Sequence, residues 1–318
     1  MRGVFLDSGS INPAELDLSS WRDLVEEWAW HDSTAPQDVG ARIADADIVV
    51  SNKVVLTRAH LEAAQLRLIC VAATGTDNID LDAARARNIA VCNVRGYATP
   101  SVVQHVFTLI LALRGHLLDY CAALRDGAWS RSPHFSLLQF PLRELAGSTL
   151  GIVGYGELGR AVAGVARAFG MHVAVAGLPG RANSGEVKRV PLGALLPQAD
   201  VLSLHCPLTP QTRNLIDARA LGRMRNDAIL INTARGGIVD ERALIDALLR
   251  RQIGGAGIDV LTVEPPPADH PLLRAGIPNL LVTPHIAWAC HESRQRLVDA
   301  IASNIRGFLA GHPPNLVV

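Results

Sequence analysis

The stretch that most constrains the fold is 149–160, which reads TLGIVGYGELGR. An apolar run at 150–153 meets glycines spaced as GxGxxG, and apolar residues then recur at helical spacing. This predicts a strand, a turn and a helix: Gly154 permits the tight turn, Gly156 lets a pyrophosphate approach the backbone, and Gly159 lets helix and strand pack. The pattern favours a dinucleotide site. Because glycines also serve ordinary turns, a purely structural turn stays open.

Length and composition limit the class of protein. A chain of 318 residues favours two domains, because one core rarely grows that large. The 30 basic and 30 acidic residues cancel, so neither nucleic acid nor an anionic membrane is predicted as a partner. The five cysteines form no CxxC pair and indicate a reducing compartment, the cytoplasm. No signal peptide is evident, and the longest apolar run, around 106–113, is too short for a bilayer.

Short apolar runs alternate with stretches of helical periodicity on both sides of the turn. This predicts an α/β fold with two doubly wound parallel sheets, the second opened by the glycine turn. Helices are also predicted over 18–30, from apolar residues at helical spacing, and from Ser101, as the likelier N-terminal cap, to about Arg125. The predicted strands are 4–6, 48–50, 68–72, 89–92, 150–153, 172–176, 201–204, 228–231, 256–260 and 280–282.

Ligands of such sheets bind beyond the carboxyl ends of the strands, so residues that follow strands are the candidates for chemistry. Arg235 follows one strand, and its planar guanidinium suits a carboxylate, unless it caps the next segment. Asp259 and Glu264 lie five residues apart at a strand end. Asp259 suits a carboxamide N–H and Glu264 a histidine, unless both are solvated loop acids. His285 follows the last strand; histidine is the commonest general acid and base, although a lone histidine is usually structural.

Two other chemistries lack their signatures. The chain has neither HExxH nor a cluster of cysteine and histidine, so no metal site is predicted. It also lacks the GxSxG nucleophile turn, which argues against an α/β-hydrolase.

Several stretches in a fixed order carry a family resemblance. They are 75–80 (GTDNID), the glycine turn, 205–209 (HCPLT) with Thr212, 231–240 (INTARGGIVD), 257–260 (GIDV) with Glu264 and Pro265, and 283–285 (TPH). Together they resemble the D-isomer-specific 2-hydroxyacid dehydrogenase family over nearly the whole chain. The sequences of 51–53, 93–97 and 285–288 are similar to its glycerate dehydrogenase, or hydroxypyruvate reductase, branch.

The resemblance implies a discontinuous domain plan. Residues 1–98 and 287–318 would form a flavodoxin-like substrate-binding domain, and 99–286 a Rossmann dinucleotide-binding domain with much of a homodimer interface. The active site would lie in the cleft between the domains. The implied reaction interconverts a small 2-keto acid, hydroxypyruvate or glyoxylate first, and its D-2-hydroxy acid by direct hydride transfer.

The resemblance also assigns roles to single residues. Arg235 would bind the substrate carboxylate and polarise the keto oxygen, and His285 would donate or accept the proton. Glu264 would hold the His285 ring in one tautomer and favour its protonated form. The substrate contacts would be Lys53 and the backbone of Thr74 and Gly75. Asp259 and the carbonyl of Thr233 would hold the nicotinamide carboxamide, and the full implied set of cofactor residues is Gly154, Gly156, Glu157, Leu158, Gly159, Cys206, Pro207, Thr212, Thr233 and Asp259.

One departure from the family pattern leaves the cofactor open. NAD-specific sites put an acid after the second strand, to bind the ribose 2′-hydroxyl. Gly177 stands there, and Arg181, helped by Lys188 or Arg189, suits a 2′-phosphate, unless Arg181 is a solvated loop residue. NAD and NADP are therefore both retained as cofactors. Arg95, where many family members have proline, is a second departure, and no role is assigned to it.

Two rival functions fit the same residues. One is a non-catalytic NAD(H)-sensing binding protein on this fold, similar to the C-terminal-binding corepressors. The other is a family relative that oxidises a different small acid, such as formate.

Overall fold

The computed structural model describes residues 1–180, 187–274 and 276–318. The chain forms two compact units, Met1–Ala98 with Trp288–Val318, and Thr99–Ala287. Each unit contains one parallel sheet with helices, which confirms the predicted α/β class. Arg181 lies outside the described residues.

The regular elements of the described residues are numbered in chain order. The strands are β1 (Arg2–Phe5), β2 (Glu27–Trp30), β3 (Ile48–Ser51), β4 (Leu68–Val71), β5 (Ala90–Cys92), β6 (Thr149–Val153), β7 (His172–Ala176), β8 (Arg189–Val190), β9 (Val201–Leu204), β10 (Ile229–Asn232), β11 (Gly255–Ile258) and β12 (Leu280–Val282). The helices are α1 (Val39–Ile43), α2 (Arg58–Ala63), α3 (Leu81–Ala86), α4 (Thr99–Arg114), α5 (Leu117–Arg125), α6 (Glu157–Ala168), α7 (Leu192–Leu195), α8 (Ala218–Leu221), α9 (Glu241–Leu249) and α10 (His291–Leu309).

The sheet of the first unit has the order β2-β1-β3-β4-β5 and is covered on both faces. Successive side chains of a strand point to opposite faces. Accordingly Val4 packs in a cluster with Ile43 of α1 and residues of α2 and α3. Its neighbour Phe5 packs in another cluster with Ile301 and other residues of α10. This double coverage explains why these strands are continuous apolar runs.

The sheet of the second unit has the order β12-β11-β10-β9-β6-β7-β8, all parallel. From β6 the chain runs outward through β7 and β8, then returns to β9 on the other side of β6 and continues to β12. The strand order therefore reverses between β6 and β9, which is where a Rossmann sheet binds its ligand beyond the carboxyl ends. The predicted glycine turn directly follows β6.

The helix predicted over 18–30 is wrong. A 3₁₀ turn at Ser19–Trp21 precedes β2 instead, and β2 pairs with β1. Trp21, Trp28 and Trp30 pack against one another at tilted angles, with ring centroids 4.9 to 5.8 Å apart. Trp28 also lies over Gly3, where a Cβ would come within 2.6 Å of the indole. Contacts with a distant strand thus override the local helical spacing.

The helix predicted from Ser101 to Arg125 is two helices. His116, with φ of 47°, separates α4 from α5, and its ring stacks on Phe140 with centroids 5.6 Å apart. Ser101 is not the cap either, because α4 begins at Thr99. Within the described residues no individual helix has the length and apolar composition of a membrane span; α4 and α5 meet these criteria only when taken as a pair, and they are bent by 54°.

Candidate active site

The three glycines after β6 meet different steric demands. Gly154 has φ of 99°, and a Cβ there would lie 2.5 Å from the carbonyl of His205. A Cβ on Gly159 would lie 2.1 Å from the carbonyl oxygen of Gly154. A Cβ on Gly156, at the N-terminal cap of α6, would meet nothing within 4 Å. Two glycines therefore permit the packing of turn, strand and helix, and the third leaves the backbone open where a phosphate would approach.

Two buried polar atoms beside this turn fit a polar ligand. His205 Nδ1 and Thr233 Oγ1 are buried, and neither has a hydrogen-bond partner among the described residues. These residues follow β9 and β10, which are neighbours in the sheet. The other ring nitrogen of His205 lies 2.8 Å from Ser203 Oγ, and burial lowers the pKa of His205 to about 4, so the ring is neutral. Buried polar atoms are normally hydrogen-bonded, so this pair is consistent with a dinucleotide site.

The remaining predicted cofactor residues shape the loops around the turn. Burial raises the pKa of the Cys206 thiol to about 11, so it stays protonated at neutral pH. Thr212 donates from Oγ1 to the carbonyl of Pro207 at 2.7 Å and folds that loop. Glu157, in the first turn of α6, accepts a hydrogen bond from Thr99 Oγ1 at 2.6 Å. Leu158 beside it is half-buried.

The position that usually distinguishes NAD from NADP carries no acid. Gly177 follows β7, and its N–H donates to the carbonyl of Val190 in β8 at 2.9 Å. Lys188 is exposed and Arg189 lies in β8. Arg181, which is predicted to bind the 2′-phosphate of NADP, lies outside the described residues. NAD and NADP therefore both stay predictions.

The Arg235 loop is folded by a residue that the sequence analysis missed. Asn232, at the end of β10, is buried. Its Nδ2 donates to the carbonyl of Arg235 at 2.9 Å, and its Oδ1 accepts from the N–H of Ala234 at 3.1 Å. The half-buried Arg235 side chain donates from Nη1 to the carbonyl of Ala234 at 2.8 Å. The local sequence does carry a signal for this role, because Asn232 stands at a strand end directly before a loop of small residues.

Glu264 and His285 are brought together. His285 Nδ1 lies 2.6 Å from Glu264 Oε2, and Glu264 Oε1 accepts from the N–H of Leu261 at 2.8 Å. Because an ionised carboxylate only accepts, Nδ1 carries the hydrogen and Nε2 is left for a second partner. Both side chains are partly exposed, at 25% for His285 and 32% for Glu264. This is the arrangement of an oriented general acid and base.

The loops of Arg235, Glu264 and His285 follow three adjacent strands, β10, β11 and β12. Backbone contact sets the spacing of the first two loops. A Cβ on Gly236 would lie 2.0 Å from the carbonyl carbon of Leu261. Only glycine fits there without displacing one of the loops.

Asp259 is engaged by the loop that carries His285. It is 1% exposed. Its carboxylate accepts from the N–H groups of Ile286 and Ala287, both at 2.9 Å, and from Thr283 Oγ1 at 2.5 Å. The carboxylate of Asp259, which the resemblance assigns to the nicotinamide carboxamide, thus also anchors this loop. The local sequence carries no signal of this second role.

The predicted substrate contacts belong to the first unit and follow its strands. Lys53 is exposed after β3, and its N–H donates to Asp7 Oδ2 at 2.6 Å. Thr74 follows β4; its hydroxyl donates to the carbonyl of Val94 at 2.7 Å, and its carbonyl accepts from Asn93 Nδ2 at 2.7 Å. Gly75 is next in the chain. Asp7 and Asn93, which fix these loops, were missed because only the tertiary structure reveals their partners.

Comparisons with known proteins extend over the whole chain. The profile described as "D-isomer specific 2-hydroxyacid dehydrogenase, NAD binding domain" matches residues 107–287. A glycerate dehydrogenase of Methylorubrum extorquens is 43% identical over 316 residues, covering 99% of this chain and 98% of that protein. A hydroxypyruvate reductase of Blautia hydrogenotrophica is 38% identical, covering 100% of this chain and 99% of that protein.

A solved structure also matches over the full length. An acyclic imino acid reductase in complex with NADPH and D-arginine superposes with a TM-score of 0.88 at 28% identity, and the match covers 100% of both chains. That protein is thus a structural relative that binds NADPH.

Proposed function

Because the chain belongs to the D-isomer-specific 2-hydroxyacid dehydrogenase family, we propose that it interconverts hydroxypyruvate or glyoxylate and the corresponding D-2-hydroxy acid. The observation that carries this proposal is the Glu264–His285 pair, joined at 2.6 Å next to the loop of Arg235. The names of the full-length bacterial relatives, glycerate dehydrogenase and hydroxypyruvate reductase, support the same substrates.

The chemistry follows from the three residues. Arg235 binds the substrate carboxylate through its planar guanidinium and polarises the keto oxygen. His285 donates the proton from Nε2 to that oxygen during reduction and removes it during oxidation. Glu264 fixes the tautomer through Nδ1 and compensates the charge of the imidazolium. A dinucleotide held in this site would supply the hydride for reduction of the keto acid and would accept it in the reverse reaction.

We assign dinucleotide binding to 99–286 and substrate binding to 1–98 and 287–318. The proposed cofactor residues are those of the glycine turn (Gly154, Gly156, Glu157, Leu158 and Gly159) with Cys206, Pro207, Thr212, Thr233 and Asp259. The open backbone at Gly156 and the unpartnered atoms of His205 and Thr233 support this set. Lys53, Thr74 and Gly75 are proposed to contact the substrate.

The reductant is proposed to be NADH or NADPH. Without an acid at Gly177, no carboxylate from that position repels a 2′-phosphate, and Arg181 is proposed to bind it. The NADPH complex of the structural relative is compatible with this. Parallel KM measurements for NADH and NADPH test the choice, and Arg181→Ala should raise only the KM for NADPH.

A homodimer through the dinucleotide domain is also proposed. A run of large apolar side chains is exposed in and after α5, and such patches mark association surfaces. Size-exclusion chromatography with light scattering should give twice the mass of one chain. The exposed residues are Leu117, Leu118, Leu124, Trp129, Phe135, Leu138 and Leu142.

We propose the cytoplasm as the compartment. All five cysteines are free, which supports a reducing environment.

The deciding experiment is a panel of 2-keto acids, each tested with NADH and with NADPH at 340 nm. Turnover of hydroxypyruvate or glyoxylate is expected, and Arg235→Ala should abolish it. Binding of the dinucleotide without turnover of any keto acid would instead support a sensor. Oxidation of formate without reduction of keto acids would support the other rival.

A further inference from the structure

Two residues of α4 contact opposite ends of the loop 283–287, here called the His285 loop. Ser101 Oγ donates to the carbonyl of Ala287 at 2.6 Å. His105 Nε2 lies 2.9 Å from Thr283 Oγ1. Residues four apart share one face of a helix. One face of α4 therefore contacts the residues two positions before and two positions after His285.

The direction of the hydrogen bonds follows from the chemistry of the groups. Thr283 has one hydroxyl hydrogen, which it donates to Asp259 Oδ1 at 2.5 Å. Its oxygen must then accept, so His105 Nε2 carries a hydrogen and donates it. The same His105 nitrogen is 3.5 Å from Asp259 Oδ1. His105, Thr283 and Asp259 thus form a chain of donors that ends on a buried carboxylate.

The His285 loop needs such support because its conformation is unfavourable by itself. His285 has φ of 56°, in the left-handed region that a side chain disfavours. Its N–H donates to the carbonyl of Asp259 at 2.8 Å, and the Asp259 carboxylate accepts from the next two N–H groups. The Asp259 side chain is only 1% exposed, and a buried acceptor that loses its hydrogen-bond donors costs free energy.

We propose that His105 is a positioning residue of the dehydrogenase. Through Thr283 and Asp259 it holds the His285 loop in the one conformation that keeps His285 Nδ1 on Glu264. This inference rests on the proposed function, because His105 can affect turnover only if His285 is the general acid and base. His105 itself does not touch the reacting atoms.

Steady-state kinetics of three α4 variants test the effect on turnover. His105→Leu should lower kcat with hydroxypyruvate by about 10- to 100-fold, the cost of a misplaced catalytic group. The KM for hydroxypyruvate should stay unchanged, because Arg235 lies on a different loop. His105→Gln keeps an N–H of similar reach and should recover most of kcat. The matched control is Thr108→Val, which removes an exposed hydroxyl from the same helix and should behave as the wild type.

Hydrogen exchange measures the loop without turnover. The amides of Ile286 and Ala287 should exchange faster in His105→Leu, and at the wild-type rate in His105→Gln and Thr108→Val. Thr283→Val removes the hydroxyl that links His105 to Asp259. It should show the same faster exchange as His105→Leu, and it replaces that variant if His105→Leu does not fold. Thr283→Ser, which keeps the hydroxyl, is its control.

The outcomes separate the two proposals. Wild-type kcat in His105→Leu, or lowered kcat with unchanged exchange of the loop amides, overturns the role of His105. So does failure of glutamine to recover kcat. If the wild type reduces no keto acid, the proposed function fails, and the exchange rates alone then decide whether His105 holds the loop.

Discussion

The Lys53 loop (52–54) and the His285 loop lie in different units but are held in the same way. Each follows one strand and is held by a buried aspartate at the carboxyl end of the neighbouring strand. Asp7, after β1, holds the loop after β3, and Asp259, after β11, holds the loop after β12. In both cases the carboxylate accepts backbone N–H groups of the loop.

The two anchors differ in their other donors. The Asp7 carboxylate accepts from three backbone N–H groups, those of Asn52 at 2.8 Å, Lys53 at 2.6 Å and Val54 at 3.3 Å. Asp259 also receives a side-chain hydroxyl and has a histidine nearby. The hydrogen bonds to Asp7 come from the backbone, so they do not depend on which side chains the loop carries. Those to Asp259 depend in part on the side chain of Thr283, with His105 nearby. The roles proposed for the two loops differ as well: Lys53 is proposed to contact the substrate and His285 to transfer the proton.

The largest expected effect is on the His285 loop itself. His285→Ala removes the proposed general acid and base and should lower kcat by about 100- to 10 000-fold, as measured by steady-state kinetics with hydroxypyruvate. His172→Ala, at the exposed first position of β7, is the control and should keep its activity. A near-normal kcat/KM in His285→Ala would contradict the proposed proton transfer by His285, and the His285 loop would then no longer differ from the Lys53 loop in its proposed role.

Removal of the first anchor should affect stability. Asp7→Ala leaves three backbone donors without their acceptor, and each buried donor left unsatisfied costs about 1–3 kcal/mol. Urea unfolding should therefore show a loss of about 2 kcal/mol or more, together with a higher KM and little change in kcat. Asp45→Ala, with a side chain 86% exposed, should change stability by less than about 0.5 kcal/mol. Equal stabilities of the two variants would contradict the anchoring role of Asp7.

The exposed side chain of the first loop should act on binding alone. Lys53→Ala removes the proposed charge-assisted hydrogen bond to the substrate and should raise the KM for hydroxypyruvate about 10-fold. Lys53→Arg keeps the charge and should lose less. A fall in kcat at unchanged KM would assign this loop to chemistry and break the comparison.

The smallest effect is a dependence on pH. Burial raises the pKa of Asp7 above its ordinary value of 3.8, and the three loop N–H groups offset this only in part. Folding therefore favours the protonated form: the contribution of Asp7 to stability is complete below pH 3.8 and is lost as the pH rises through its folded pKa. Asp7→Asn cannot ionise.

The measurement is the free energy of unfolding of both proteins at several pH values above 3.8. As the pH rises, the free energy of unfolding of Asp7→Asn should increase relative to that of the wild type. A free-energy difference that is constant with pH would show that the three loop N–H groups compensate the Asp7 charge in full, and it would contradict the raised pKa of Asp7.

The sequence predicts what depends on local pattern. Alternating strands and helices, the glycine turn and the placement of Arg235, Glu264 and His285 after strands follow from apolar periodicity and the geometry of parallel sheets. The two aspartate anchors do not follow from it, because they depend on which strands are neighbours. The cofactor role of Asp259 stays a prediction from the family resemblance, and its contacts with the His285 loop became visible only in the fold.

The wrong helix at 18–30 has the same origin. Trp21 and Trp28 are spaced as on one helical face, but Trp21 stacks on Phe5 of β1, and Trp28 lies in β2, which pairs with β1. The break at His116 likewise depends on Phe140, far along the chain. Such long-range aromatic contacts carry no local signal.

The close approach at Gly236 restricts how this enzyme can be diversified. Since a Cβ there would meet the carbonyl carbon of Leu261 at 2.0 Å, any other residue separates the loop of Arg235 from the loop of Glu264. The carboxylate site and the proton-transfer pair would then move apart, although no catalytic atom had been changed. A library that seeks new substrates can therefore vary the surroundings of Arg235, but it should keep position 236 as glycine.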